Sequence, residues 1–421
     1  MTDAWVQRPL GNAPVEIIDG DRGTEYPKKS DFNAVGDWLF LDTGNVRKNG
    51  FDFTSCQFIT NDKERKLRKG RVVRGDIVLT TRGTIGNVGW FNDRVRYDQI
   101  RINSGMVILR ADRSTLLPEF LFLVVRSPQF RAQVTALTSG AAQPQLPIRD
   151  IRLLRIPLPP MSVQRHIASI LGAYDDLIEV NRRRIAVLEE MARGLFEEWF
   201  VHFRFPEHKA TEVRDKGDDR LPLGWTWTTL GALAEEMRDA VQPTQVSGET
   251  PYVGLEHIPR RSTTLDDWGS AADVTSTKLK FRRGDILFGK IRPYFHKVAW
   301  APFEGICSSD AIVIRPRATK VAALVLAVTS SDRFVAHSVQ TSNGTKMPRA
   351  SWAVLAKYPV PMPVATVCDQ FQKYVMAGVE MAATLQRSNT KLAASRALLL
   401  PRLMSGKLSV AGAERELEDA A

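Results

Sequence analysis

Residues 74–78 read RGDIV and residues 283–287 read RGDIL, an offset of 209. The match does not stop at the pentapeptide. Each copy runs on to a tryptophan, Trp90 in NVGW and Trp300 in KVAW. Each then reaches an alternating apolar segment that ends in arginine, SGMVILR over 104–110 and SDAIVIR over 309–315. Upstream, Trp5 with Leu10-Gly11 matches Trp225 with Leu230-Gly231 at an offset of 220. Downstream, IPLP (156–159) matches VPMP (360–363) at 204. Five blocks in one order, with an offset that falls from 220 at the first to 204 at the last, describe a chain written twice with small insertions.

Each copy has two parts. The first, 1–160 and 206–363, is rich in Val, Ile, Thr, Trp and Gly in short alternating runs, so strands are predicted at 71–80, 106–109, 285–288 and 311–314. Helical patches such as 118–137 interrupt them, which makes each unit mixed α/β. Prolines 157, 159 and 160, and again 359, 361 and 363, then stop the strand and start a helix. The boundaries are therefore 1–160, a helix over 161–205, 206–363, a second helix over 364–412, and a tail at 413–421.

The first helix is expected over 163–202. Its apolar stripe includes Ile167, Tyr174, Leu177, Leu188 and Leu195. The second copy supplies Phe371, Tyr374, Met381, Leu385, Leu392 and Leu399. Some 40 residues at 1.5 Å each make a rod about 60 Å long. So long a stripe predicts an antiparallel coiled coil between the two helices, with packing of each on its own domain as the alternative.

The chain has 421 residues, 43% hydrophobic and 25% charged, which is ordinary for packed domains and excludes a mostly disordered protein. No apolar run approaches the ~18–20 residues of a membrane span, and the start MTDAWVQRPL carries no secretory pattern. Cys56, Cys307 and Cys368 are far apart and read as reduced thiols in a cytoplasmic protein. A formal charge of +11 and a pI near 9.6 suit a polyanion partner, nucleic acid first, although a generally basic protein would share them.

Catalytic motifs dissolve on inspection. GDILFGK (284–290) has phosphate-loop spacing, but Ile291 stands where Ser or Thr must hold magnesium, and DILF reads as a strand. Gly83, Gly86 and Gly89 lack the dinucleotide spacing. LPPM (158–161) has neither the polar residue nor the aromatic that an amino-methyltransferase uses to hold a base. Glu64-Arg65-Lys66 matches the E-x-K of a nuclease but reads better as a solvated charged face. The six histidines show no metal-ligand pairing. No catalytic residue and no metal site is expected.

Candidate DNA contacts come from three places. The stretch 62–74 (DKERKLRKGRVVR) offers Lys63, Arg65, Lys66, Arg68 and Lys69 for phosphates, an exposed hairpin being the alternative. The loops after each RGDI strand offer Thr81, Arg82 and Thr84 in one copy and Lys290, Arg292, Tyr294 and His296 in the other. A third pair of polar loops, 138–145 and 341–348, offers Gln143 and Lys346. Equivalent loops with different side chains are what two readers of different base sequences need.

With these residues in place, the chain resembles the specificity (S) subunits of type I restriction–modification systems. The resemblance rests on the duplication, on RGDIVLTTRGTIG, and on SGAAQPQLP running into IPLPPMSVQRHIASIL and a helix ending GLFEEWF. The second copy repeats the plan as TSNGTKMP, VPMPVATVCDQF and LLLPRLMSGKL. It departs from the family at the helix starts, where Val163-Gln164 and Cys368-Asp369 stand in place of the frequent Glu-Gln. The resemblance implies two target-recognition domains, each reading half of a split, asymmetric site in double-stranded DNA, with the helices as spacer and dock for two methyltransferase (M) subunits. S-adenosylmethionine would then belong to M, and ATP with Mg to restriction (R) subunits where present. This chain would bind no cofactor and no membrane. A self-sufficient methyltransferase or nuclease, or a nonspecific basic coiled-coil scaffold, are the competing readings.

Overall fold

In the computed structural model, the described residues are 5–47, 50–140, 144–206, 213–214, 221–344 and 347–404. Contacts divide the chain into two compact units. The first is Met1–Asp176 with Leu392–Ala421, and the second is Leu177–Lys391, so each unit holds part of both long helices.

The first unit builds a four-stranded antiparallel sheet in the order Val15–Asp19, Met106–Ala111, Ile77–Thr80, Val88–Trp90. A second sheet orders Phe58–Ile59, Trp38–Leu41, Ile100–Ile102, Arg71–Val72, with the middle pair parallel. The second unit repeats both. Its antiparallel sheet runs Ala234–Met237, Ala311–Pro316, Ile286–Gly289, Val298–Trp300. Its other sheet runs Ala240–Val241, Lys278–Phe281, Gly305–Cys307, Pro251–Val253, Gly269–Ser270, with one parallel pair. Even the register repeats: Ile77 faces Leu109, and Ile286 faces Ile314.

The repeated RGDI explains itself in this frame. The predicted strand 71–80 breaks into Arg71–Val72 and Ile77–Thr80, because Asp76 turns the chain by accepting the Val73 N–H at 2.8 Å. The same carboxylate is buried and pairs with Arg110 at 2.8 Å. In the other copy Asp285 accepts the Arg282 N–H at 2.7 Å and pairs with Arg315 at 2.7 Å. The hydrogen bond to the aspartate holds each arginine above its ordinary pKa, against the opposing pull of burial. The motif is thus a buried clasp between two neighbouring strands.

The patch 118–137 forms two helices, Pro118–Val125 and Pro128–Leu137, separated where Ser127 accepts the Phe130 N–H as an N-cap. Ser331 repeats that cap between Ala322–Ser330 and Asp332–Gln340. The proline-rich segments are strands: Arg155–Pro157 pairs with Gln7–Pro9, and Pro359–Met362 with Thr226–Thr229.

The long helices span Met161–Phe196 and Ala365–Met404, the first continuing as a π-helical turn over Glu197–Val201. Within the second unit the contacts run antiparallel. Phe196 meets Phe371, Leu188 faces Gly378, and the Asn181 amide donates to Asn389 Oδ1 at 3.0 Å. Within the first unit, Arg396 donates to Asp175 at 3.1 Å. The covered positions step by three and four: 171, 174, 178, 181, 185 on one helix and 371, 375, 378, 382, 385, 389, 392 on the other. Of the expected stripe, Ile167, Tyr174, Phe371, Leu392 and Leu399 are buried, and Leu188, Leu195 and Leu385 half-buried. Leu177, Tyr374 and Met381 correct the expectation: they are 42%, 57% and 57% exposed. They fall one position off the three–four step, on the outer face of the helix, although the edge of Tyr374 still meets the Trp199 ring at 6.4 Å. The aromatic end GLFEEWF closes the second unit's core, with Phe200 on Phe371 at 4.7 Å and on Trp225 at 5.4 Å.

Candidate nucleic-acid interface

The segment 62–74 begins as a helix, Asn61–Lys66, capped by the Thr60 hydroxyl, and not as a hairpin. Glu64 corrects the solvated-face reading. It is 2% exposed, and its carboxylate binds Arg101 at 2.8 Å and Arg71 at 2.6 Å. Arg101 is buried as well and also donates to the carbonyls of Leu67 and Lys69. Lys63 is committed to Asp31 at 3.3 Å and Glu25 at 3.8 Å, and Arg65 to Asp62 at 3.5 Å. Lys66, Arg68 and Lys69 remain exposed, with the Arg68 and Lys69 N–H groups tied to Asp21. Burial alone would raise the Asp21 pKa; those N–H groups, that of Gly23 and the Arg101 charge together hold it below the ordinary 3.8.

The loop after each RGDI strand is brought against the third polar loop of its own unit. In the first unit Arg82 forms an antiparallel bridge with Gln145, which also bridges Ser139. The Leu146 N–H donates to the Thr81 carbonyl at 3.0 Å. Gly83 and Gly86 sit at φ +67° and +84°, a region open mainly to glycine, so the loop folds back tightly. In the second unit Ile291 bridges Arg349, and Arg349 bridges Asn343. The Ala350 N–H donates to the Lys290 carbonyl at 2.8 Å, and the Arg292 N–H to the Pro348 carbonyl at 2.8 Å. One backbone frame is therefore built twice, and sequence position alone does not reveal that these loops meet.

The candidates fall into distinct places on that frame. Arg82 and Thr84 are exposed, whereas Thr81 is buried and presents no side chain to solvent. The Lys290 ammonium is tied to the Ser309 carbonyl. Arg292 is half-buried, and Tyr294 is exposed on the short turn Pro293–Phe295. Arg292 and His296 flank that turn at φ +49° and +52°, costly for side-chain-bearing residues and a feature that clusters at functional loops. His296 corrects the expectation of a base reader, being only 7% exposed. Its Nε2 lies 2.8 Å from the Ser330 carbonyl, an acceptor only, so the proton sits on Nε2. Burial pushes its pKa below the ordinary 6.5, outweighing the Ser330 bond and the nearby Asp332. The ring lines a cavity of about 470 Å³ in the second unit, together with Arg193, Thr263, Leu326 and Val379. Gln143 and Lys346 lie outside the described residues.

Gln145, Ile291 and Arg349 were missed at the sequence level. The available signal was the repeat offset, which carries 82 to 291 and 145 to 349. Among the described residues no group of three or more His, Cys, Asp or Glu is placed to hold a metal ion, and no helix is long and apolar enough to cross a membrane.

Residues 15–190 match the family described as the type I restriction modification DNA specificity domain. The HindI specificity subunit of a type I restriction enzyme from Haemophilus influenzae is 23% identical, over 92% of this chain and 98% of its own. The MjaIX specificity subunit from Methanocaldococcus jannaschii is 22% identical, over 80% of this chain and 78% of its own. Among solved structures, the S subunit of a type I restriction-modification system from M. genitalium shares the fold. The TM-score is 0.56 at 15% identity, covering 95% of this chain and 96% of that one.

Proposed function

On the match over residues 15–190 and the specificity subunits it is similar to, we infer that the chain is a specificity subunit of a type I restriction–modification system, and from that premise how its two units divide the work. It is a non-catalytic DNA-recognition subunit that acts with the other subunits of such a complex. Neither a self-sufficient methyltransferase or nuclease nor a nonspecific scaffold is favoured by its relatives.

Each unit reads one half of a split, asymmetric sequence in double-stranded DNA. The observation that carries this is the doubly built loop frame, one backbone with different side chains: Arg82 over Gln145 in one unit, Ile291 over Arg349 in the other. A nonspecific binder gains nothing from divergent side chains on equivalent backbones, whereas two base readers require them. Exposed Lys66, Arg68 and Lys69 supply phosphate contacts, which position the protein without reading sequence. The outward faces of the long helices, including Leu177, Tyr374 and Met381, dock two methyltransferase subunits, and the helix length sets the gap between half-sites. S-adenosylmethionine is held by those subunits, and ATP and Mg by restriction subunits where the system has them. The compartment is the cytoplasm, where cellular DNA is met.

The test is reconstitution with the methyltransferase subunit encoded beside this chain. Each protein alone and the mixture are incubated with S-adenosylmethionine and random-sequence duplex DNA, and methylated adenines are sequenced. Methylation only in the mixture, at a two-part motif with a fixed gap, is the expected result. Methylation by this chain alone, or methylation without sequence preference, overturns the reading.

A further inference from the structure

We propose that the cross-strand pairs Arg82–Gln145 and Ile291–Arg349 are the base-reading positions of the two units, with Gln145 reading adenine and Arg349 reading guanine. The proposal rests on the two-unit reading of DNA and names the residues that would carry it.

Gln145 and Arg349 sit at the same node of the repeated frame. The Gln145 N–H donates to the Ser139 carbonyl at 2.9 Å and the Ser139 N–H returns a bond to Gln145 at 3.1 Å; Arg349 and Asn343 exchange the same bonds at 2.9 and 3.1 Å. On the other side each is bridged to the loop that follows the RGDI strand, through Arg82 or Ile291. The following residue closes the frame again, Leu146 onto Thr81 and Ala350 onto Lys290. The backbone of each node residue is thereby fixed from two sides, which sets the point from which its side chain extends.

The side chains on this fixed backbone are uncommitted. Gln145, Arg349 and Arg82 are exposed, and among the described residues their side chains take no hydrogen-bond or ion-pair partner. Arg71, Arg101, Arg110 and Arg315, by contrast, are held by buried carboxylates. A glutamine amide matches adenine N6 and N7 in the major groove, a guanidinium matches guanine O6 and N7, and an apolar side chain packs on the thymine methyl. Directly opposed residues in an antiparallel pair hold their Cβ atoms about 4.5–5.5 Å apart, so each pair reaches one or two adjacent base pairs. Arg82 with Gln145 is a wholly polar pair, and Ile291 with Arg349 combines an apolar surface with a cation. The frame is common and the chemistry differs, as two unlike half-sites demand.

The experiment uses the reconstituted complex of full-length chain and methyltransferase subunit on random-sequence duplex DNA, with wild type, Gln145→Arg and Arg349→Gln in parallel. Both substituted side chains are exposed, and circular dichroism of each chain verifies folding. Arg349→Gln is expected to lose about ten- to a hundred-fold in methylation of sites carrying the cognate guanine, changing one position of one half-site. Gln145→Arg is expected to change one position of the other half-site, leaving the gap intact. An unchanged motif, or a loss spread evenly over all sequences with a salt dependence shallower by about one phosphate, means backbone contact and overturns the proposal. A wild-type complex without a two-part motif instead overturns the two-unit reading itself.

Discussion

Glu64 shows how a charge run can be misread one residue at a time. Seven cations against two acids over 62–74 suggest a solvated patch, yet the single glutamate is the residue that faces inward, and it neutralises Arg71 and Arg101. Removing one partner of a buried ion pair leaves the other uncompensated, at a cost of about 3–5 kcal/mol. Glu64→Ala is therefore expected to lower the thermal stability of the chain by that order, read by calorimetry, whereas Lys66→Ala on the exposed side of the same helix changes it little. Equal effects of the two substitutions would contradict the assignment. His296 carries the same lesson from the opposite direction. A histidine in a basic, aromatic loop looks like a reader, but the left-handed conformations at Arg292 and His296 turn its ring under Ser330 and leave Tyr294 outside. Ile291, not Arg292, then takes the place equivalent to Arg82. Backbone handedness at two positions decided which side chains face out, and no local pattern encodes it.

At the scale of elements, the periodicity was legible and its phase was not. The helices expected over 163–202 and 364–412 form over Met161–Phe196 and Ala365–Met404, with 405–412 outside the described residues; apolar residues recur every three or four positions, and the second helix's proline, Pro401, falls in its last described turn. Choosing the covered face by hydrophobicity alone admits Leu177 and Met381 and passes over Asn181 and Asn389, which are buried and bonded to each other. A polar pair in an apolar seam lowers stability but fixes which register the helices adopt. Here one amide group of Asn389 is left without a partner, so the pair is incompletely satisfied. Asn181→Leu alone strands the remaining asparagine and is expected to destabilise by about 1–3 kcal/mol. Asn181→Leu with Asn389→Leu is expected to recover that loss or exceed wild type, giving a strongly non-additive double-mutant cycle in urea unfolding. Additive losses would show that the two asparagines do not act as a pair.

For the whole molecule, duplication was the most legible property, since the order of five sequence blocks carries over into two units with matching sheets, registers, caps and clasps. What the sequence withheld is long-range pairing. Arg82 meets Gln145 and Ile291 meets Arg349 across some sixty residues, where no short-range period applies. The same duplication leads to a prediction that no single residue or element could carry. If two readers of unlike half-sites are joined through long helices, the gap in the target is a property of helix length, separable from the bases read. Inserting seven residues into each long helix, at facing positions, keeps the three–four step in phase and adds about 10.5 Å of rise. At about 34–36 Å per turn of 10–10.5 base pairs, that is about three base pairs. The reconstituted complex carrying both insertions is expected to methylate a motif with the same two half-sites and a gap longer by about that amount. Insertion into one helix alone breaks the seam's register and is expected to abolish methylation. A lengthened pair that keeps the original gap would show that the spacing is set by something other than the helices, and would leave the base-reading frame of each unit untouched.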